Sequence, residues 1–234
     1  MTTLEQLEEK YKVTFPNIYR KLFEADMLDW MRGFDYPLKD GITWAKDIYP
    51  TLKANPPALL HSGGSDFELF TPKDILDFEQ PETWDSRTHH FIPFAKTDEG
   101  NVYAFYANIE INKQNPIVLI WRDDETEYVA KNFEDFIFRK MLEAGNDIDK
   151  DDLQADYGKN NSIEIYRTDL LSDLKSITPY LNTEHAEILE ELYNAPAIEM
   201  TFSYGFESKR EFSDIFKKYL DFEYMANVFD HEIP

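Results

Sequence analysis

Four stretches of the 234-residue sequence carry residue types that could do chemistry. "HSGGSD", His61 to Asp66, offers an imidazole, two hydroxyls and a carboxylate, the parts of an acyl-transfer site. Such a site needs its nucleophile and base placed by the fold, and the strand–turn–helix elbow pattern that presents a serine is missing. A turn between strands accounts for the paired glycines. "DIDKDD", Asp147 to Asp152, opens like a calcium loop. That loop requires glycine where Asp152 stands and a bidentate glutamate where Gly158 stands, so the stretch reads as a solvated acidic linker. His89 and His90 are adjacent, and on a strand they point to opposite faces, which makes a poor metal pair. Asp98 and Glu99 sit beside Gly100 in "FIPFAKTDEGNVYAFY". An acid–base pair or a metal would need convergent partners, and the neighbourhood offers none. Aspartate bonding to nearby amides and a left-handed glycine are instead the chemistry of a hairpin turn. With no cysteine, disulfides and thiol catalysis are excluded. These residues predict no catalytic residue, no cofactor site and no metal site. The chain is read as a non-enzyme.

The strongest signal is charge. Asp and Glu number 46 against 24 Lys and Arg, a formal net charge of −22 at pH 7. Such a surface repels phosphate backbones and anionic lipid, so nucleic acid and membranes are excluded as direct partners, whereas a basic protein is attracted. Two acidic clusters are the candidate contact residues: Glu79, Glu82 and Asp85, and Asp123, Asp124, Glu125 and Glu127. The alternative for each cluster is a merely solvated face. The N-terminus "MTTLEQLEEKYK" lacks the basic-then-apolar order of a signal peptide, and runs such as "PIVLIW" are too short to span a bilayer. The expected location is the cytoplasm. Hydrophobic residues make up 42% and aromatics 15%, enough for a packed core.

The elements that must position these residues follow from periodicity. Thr2 or Thr3 with Glu5 or Gln6 forms a capping-box pattern before Leu4, Leu7 and Tyr11. Pro16 opens a second helix with Ile18, Tyr19, Leu22 and Phe23 as its stripe. Between Pro56 and Ala130, "ALLH", "DFELF", "HFIPFAK", "NVYAFYAN", "PIVLIW" and "TEYVA" read as short strands, interrupted by a helix at "PKDILDF". "NFEDFIFRKMLEAG" is helical, with Asn132 as cap and Gly145 as stop. "NDIDKDDLQADYGKNN" is a linker candidate, Ile163 and Ile165 suggest a brief strand, and helices follow at Leu170 to Ile177 and Ile188 to Tyr193. "AIEMTFSYGF" alternates with Ile198, Met200, Phe202, Tyr204 and Phe206 on one face. Ser208 and Glu211 then cap a helix that turns Phe212, Ile215, Phe216, Tyr219 and Leu220 inward. The expectation is an α+β fold, a mainly antiparallel sheet of about five to six strands packed with helices. The domain is placed at residues 1–145, with an α/β C-terminal extension at 146–234 packing on it. The strands are apolar on both faces, so the second face is covered by helices, by the C-terminal segment or by a partner.

The order of "FPNIYRKLF", "FELFTPKDIL", "FIPFAKTDEGNVYAFYAN", "NPIVLIW" and "VAKNFEDFIFRKM" resembles the SUKH superfamily. The matching positions are Pro16, the hairpin residues Ile92, Pro93, Phe94, Asp98, Gly100 and Tyr103, and Phe133, Glu134, Phe136 and Ile137. The glycine pair that often follows the second helix is reduced to Gly33, and the C-terminal third has no counterpart. That superfamily includes fungal cell-wall assembly and glucan-synthesis regulators and many bacterial immunity proteins. The resemblance implies a SUKH-like fold and a non-enzymatic immunity protein that binds and neutralises a cognate toxin domain, with a basic nuclease as the expected target. The alternative is a regulatory or scaffold protein of the cell-wall type without a toxin partner. Neither reading sets an oligomeric state. Because no local pattern meets a metal's requirements, treatment with a chelator is expected to leave the melting temperature unchanged, which thermal unfolding with and without chelator checks.

Overall fold

The structure, a computed structural model, describes every residue except Met1, 35–37, 65–66, 123–124, Lys159, Ser208, Ala226 and Pro234. Its helices are α1 (Thr3–Tyr11), α2 (Asn17–Glu24), α3 (Tyr49–Lys53), α4 (Pro72–Asp77), α5 (Phe133–Ala144), α6 (Lys150–Tyr157), α7 (Ser162–Ile177), α8 (Thr183–Asn194) and α9 (Lys209–Tyr219). Its strands are β1 (Phe67–Leu69), β2 (Phe91–Thr97), β3 (Val102–Tyr106), β4 (Ile117–Ile120), β5 (Glu125–Ala130), β6 (Ile148–Asp149), β7 (Ile198–Glu199), β8 (Ser203–Gly205) and β9 (Val228–Asp230). The fold is α+β, with a six-stranded antiparallel sheet and a three-stranded one. The chain divides into two compact units, one of Met1–Arg32, Ser65–Phe136 and Asp221–Pro234, the other of Gly33–Gly64 and Ile137–Leu220.

The first unit holds the larger sheet, in the order β1-β2-β3-β4-β5-β9. Thr2 starts α1 as a capping box: its hydroxyl accepts the Glu5 N–H while the Glu5 carboxylate accepts the Thr2 N–H at 2.7 Å. Leu4, Leu7 and Tyr11 are then buried. Tyr11 O–H donates to the Ile75 carbonyl at 2.9 Å, and the Lys10 ammonium donates to the carbonyls of Leu76 and Phe78, so α1 ties down the end of α4. Pro16 stands just outside α2 as its cap, not at the first helical position. Thr97-Asp98-Glu99-Gly100 is the turn between β2 and β3. Gly100 N–H donates to the Thr97 carbonyl and Thr97 N–H to the Asn101 carbonyl, both at 2.9 Å, with Gly100 at φ +86°. Pro93 lies inside the sheet, where a proline lacks a ladder donor, and the β2–β3 register shifts between Pro93 and Ala95 to accommodate it.

Both faces of this sheet are packed. On one face the Phe94 ring lies 5.1 Å from Phe105, 5.3 Å from Phe133 and 5.2 Å from Phe136, and Tyr19 of α2 reaches Phe133 at 5.2 Å. On the other, Trp84, Phe91, Val102, Ala104, Tyr106, Val118, Ile120 and Tyr128 form a second cluster. Phe222, Tyr224 and Phe229 from the C-terminal segment pack on it, along with Phe70 and Phe78. Of the three covers the sequence allowed, the C-terminal segment is therefore one. It adds β9, a strand that the sequence pattern did not signal, beside β5.

In the second unit α7 carries buried Leu170, Leu174 and Ile177, and α8 carries Leu189, Leu192 and Tyr193. Tyr193 O–H donates to the Met141 carbonyl at 2.7 Å. Gly145 does more than end α5: a Cβ there would sit 2.8 Å from Leu192 Cδ2, so the glycine permits close packing. Arg167 donates to the carbonyls of Tyr193 and Ala195 at the end of α8, and its guanidinium lies over the Phe206 ring at 4.3 Å.

Four local expectations are corrected here. The acidic stretch 146–161 is not a linker: it forms β6 and α6, because Asp149 caps the helix by accepting the Asp151 and Asp152 N–H groups and Leu153 is buried. Ile163 and Ile165 lie in α7, not on a strand. "ALLH" is a turn, with Leu59 at φ +62°. The alternating run 198–206 is not one strand face but a hairpin, β7 and β8, which leaves Ile198 41% and Phe202 80% exposed. Ser208, expected to cap α9, lies outside the described residues.

The C-terminal cover generates a stability prediction. The half-buried Phe229 ring lies 5.0 Å from Tyr106 and 5.5 Å from Tyr128. Phe229→Ala is expected to cost ~1–3 kcal/mol, below the ~3–5 kcal/mol of a fully buried phenylalanine. Val228→Ala, at a side chain 53% exposed, is expected to be near neutral. Urea unfolding of the two variants checks this.

Candidate functional site

The sequence-predicted acidic residues can now be placed. Glu79 and Glu82 are exposed on the segment between α4 and β2. Asp85 caps a turn: its carboxylate accepts the Thr88 hydroxyl at 2.6 Å and the Arg87 N–H at 3.1 Å, and the Thr88 bond leads in holding it below the ordinary aspartate range. Glu125 and Glu127 lie on β5, the first exposed and the second half-buried. Asp123 and Asp124 lie outside the described residues.

The fold brings members of both clusters to one sheet edge. β9 pairs antiparallel with β5, setting Glu125 opposite Asp230 and Glu127 opposite Val228. Just beyond, Asp85 N–H donates to the His231 carbonyl and Ile233 N–H to the Thr83 carbonyl, both at 2.8 Å, and Trp84 bridges Glu232. The C-terminal segment thus runs between residues 83–85 on one side and 125–127 on the other. Underneath, buried Thr126 and His231 hydrogen-bond at 2.9 Å and the Trp84 ring stands edge-on to His231 at 5.5 Å. Glu125 facing Asp230 costs stability, because like charges directly opposite on paired strands repel. Val228, 53% exposed, and Ile233, 48% exposed, add apolar surface among these carboxylates. Apolar contact area ringed by charge is the anatomy of a protein interface. Asp230, Glu232, Val228 and Ile233 were not singled out from sequence, because only the β5–β9 register joins them to the predicted clusters.

A second constellation is buried in the other unit. His61 and Ser62, part of "HSGGSD", meet Asp169 and Asp173 of α7, while Ser65 and Asp66 lie outside the described residues. Asp173 Oδ2 accepts the N–H groups of His61 and Ser62 and the Ser62 hydroxyl, all at 2.9 Å. Asp169 Oδ2 accepts the Lys53 ammonium at 2.8 Å and lies 3.9 Å from His61 Nδ1, and the Tyr49 hydroxyl lies 3.4 Å from that nitrogen. His61 Nε2 and Asp173 Oδ1 are buried, make no hydrogen bond and face each other at 4.0 Å. Burial pushes Asp173 up to about 7 against its three hydrogen bonds, and burial pushes His61 down. Ser62 donates its hydroxyl to the Asp173 carboxylate, not to the imidazole. The network clamps the 61–62 turn to α7. The sequence showed half of it; the carboxylates come from a helix more than a hundred residues on.

An antiparallel-sheet α+β protein with these motifs has a family. The SMI1/KNR4 family (SUKH-1) matches residues 2–139, more than half of the chain, and the protein belongs to it. No curated protein matches the chain. Among the described residues no helix is long and apolar enough to cross a membrane, and no group of three or more His, Cys, Asp or Glu is placed to hold a metal ion.

The opposite shifts of Asp173 and His61 set a pH prediction. In an unfolded chain Asp173 would titrate near ~3.9 and His61 near ~6.5. His61→Gln leaves the raised carboxyl alone. Its contribution to stability is complete below about 4 and lost as pH rises toward 7. Asp173→Asn leaves the lowered imidazole, whose contribution is complete above about 6.5 and lost as pH falls. Stability is expected to fall with rising pH in His61→Gln and with falling pH in Asp173→Asn, opposite in sign for the two variants. Denaturant unfolding at a series of pH values checks this.

Proposed function

We propose that this protein is a non-enzymatic immunity protein that binds a basic toxin domain in the cytoplasm of the producing cell and blocks it. The observation that carries this reading is the acidic edge at β9, where Asp85, Glu125, Glu127, Asp230 and Glu232 lie beside exposed Val228 and Ile233. The chain's net charge of −22 and its membership of the SMI1/KNR4 family (SUKH-1) support the same reading, since SUKH members include toxin-binding immunity proteins. A nuclease must carry a basic surface to hold nucleic acid, and an acidic protein can occupy it. Opposite charges speed the encounter, while desolvated apolar contacts such as Val228 and Ile233 set the lifetime of the complex.

The test is to express the neighbouring open reading frames, screen their products for a toxin domain that binds this chain, and follow its association by stopped flow across a salt series. Association is expected to slow as salt rises toward physiological strength, where exposed charges more than ~8 Å apart are screened, and dissociation is expected to change less. Reversing Glu125 and Asp230 to lysine is expected to lower the association rate ~3–10-fold at low salt. Val228→Ala is expected to raise the dissociation rate instead. An association rate indifferent to salt removes the electrostatic reading, and the absence of any toxin partner favours a regulatory scaffold of the cell-wall type.

A further inference from the structure

The β7–β8 hairpin holds the most exposed large apolar side chain among the described residues, and the backbone beneath it is pinned. Met200 N–H donates to the Ser203 carbonyl at 2.9 Å and closes the turn 200–203. Lys150 N–H donates to the carbonyl of Phe202 itself at 3.1 Å. The Lys150 ammonium donates to the Met200 carbonyl at 2.6 Å and to Glu199 Oε1 at 2.8 Å, which neutralises it in place. Ser203 donates its hydroxyl to Asp147 Oδ1 at 2.7 Å. The tip is therefore fixed from three sides, yet the Phe202 side chain is 80% exposed. An aromatic ring held in water on an ordered backbone loses little conformational entropy when covered, which is the property of a binding anchor.

The ring borders an open cleft of ≈ 440 Å³ lined by Asp147, Asp149, Met200, Thr201, Phe202 and Ser203. That volume falls within the ~300–1,000 Å³ of small-molecule pockets, ample for one long side chain. Both aspartates are exposed at its wall. One oxygen of Asp147 is used by Ser203, and one oxygen of Asp149 by the Asp151 and Asp152 N–H groups, so each carboxylate keeps an oxygen outside these bonds. An aromatic face beside two carboxylates matches a guanidinium, which stacks on rings and forks onto carboxylates; an ammonium matches only the charge.

We propose that the β7–β8 hairpin tip is a docking site for an arginine-bearing loop of a basic protein partner, with Phe202 stacking on the guanidinium and Asp147 and Asp149 holding its charge. It rests on the reading of this chain as a binder of basic protein, and it adds contact residues in the second unit. The test titrates a blocked peptide carrying two arginines, and its two-lysine equivalent, into the ¹⁵N-labelled full-length chain at low salt. The amide signals of 147–149 and 200–203 are expected to move with the arginine peptide and to show at least threefold weaker affinity for the lysine one. Phe202→Ala is expected to weaken the arginine peptide at least fivefold, and Phe202→Tyr to preserve it. Asp147→Asn with Asp149→Asn, which retains the caps, is expected to abolish the preference. Shifts confined to residues 125–127 and 228–232 would overturn the hairpin site and leave the basic-partner reading intact. No shift anywhere would overturn both. Equal affinity for the two peptides, or an unchanged Phe202→Ala, would overturn the stacking role.

Discussion

An antiparallel sheet that is apolar on both faces has to be covered twice, and this requirement organises the first unit. One face takes α2 and the start of α5 through Tyr19, Phe133 and Phe136. The other is closed by aromatic residues, among them Phe222, Tyr224 and Phe229 from the far end of the chain. Bringing that end back also supplies β9, which pairs with β5 and so decides where the sheet stops. The acidic edge is a by-product of this closure, since Asp230 and Glu232 reach Glu125 and Asp85 only because the chain must return to bury its aromatics.

Charge then acts on two scales. Across the molecule, an excess of carboxylates repels anionic surfaces and attracts cationic ones. Locally, the fold spends some acidic groups on structure: Asp85 caps a turn, Asp149 starts α6 and Glu5 closes α1. Those carboxylates are partly committed to hydrogen bonds within the chain. Glu125 and Asp230 have the opposite character, since they face each other across paired strands at a cost to the fold. Residues that stability does not ask for are the better candidates for contact.

The buried network in the second unit shows the same logic in a dry setting. Asp173 satisfies two backbone N–H groups and a hydroxyl at once, which fixes a turn that has no regular structure of its own. A lone ionised carboxylate there would be costly. Burial pushes Asp173 up toward its neutral form and His61 down toward its neutral form, and Lys53 offsets the charge of Asp169.

Local chemistry was legible in the sequence wherever one short segment determines its own conformation. The α1 capping box, the hairpin at Gly100, the Asn132 cap, where Asp135 N–H donates to Asn132 Oδ1, and strands β1 to β5 follow from neighbouring residues. The SUKH-like order of motifs followed too, because it is a succession of such segments. Stretches where two conformations compete were read less well. Polarity made 146–161 look like a linker, but the Asp149 cap and buried Leu153 make it helical. Alternation made 198–206 look like one strand, but a turn at 200–203 folds it on itself. What only the tertiary structure decided were the pairings between distant segments: β9 on β5, residues 83–85 along 231–233, and Asp173 under His61. A short strand such as Val228–Asp230 has little propensity of its own and exists because a neighbouring edge and an uncovered apolar face are there to receive it. The residue types of both sites were therefore written in the sequence, and their convergence was written only in the fold.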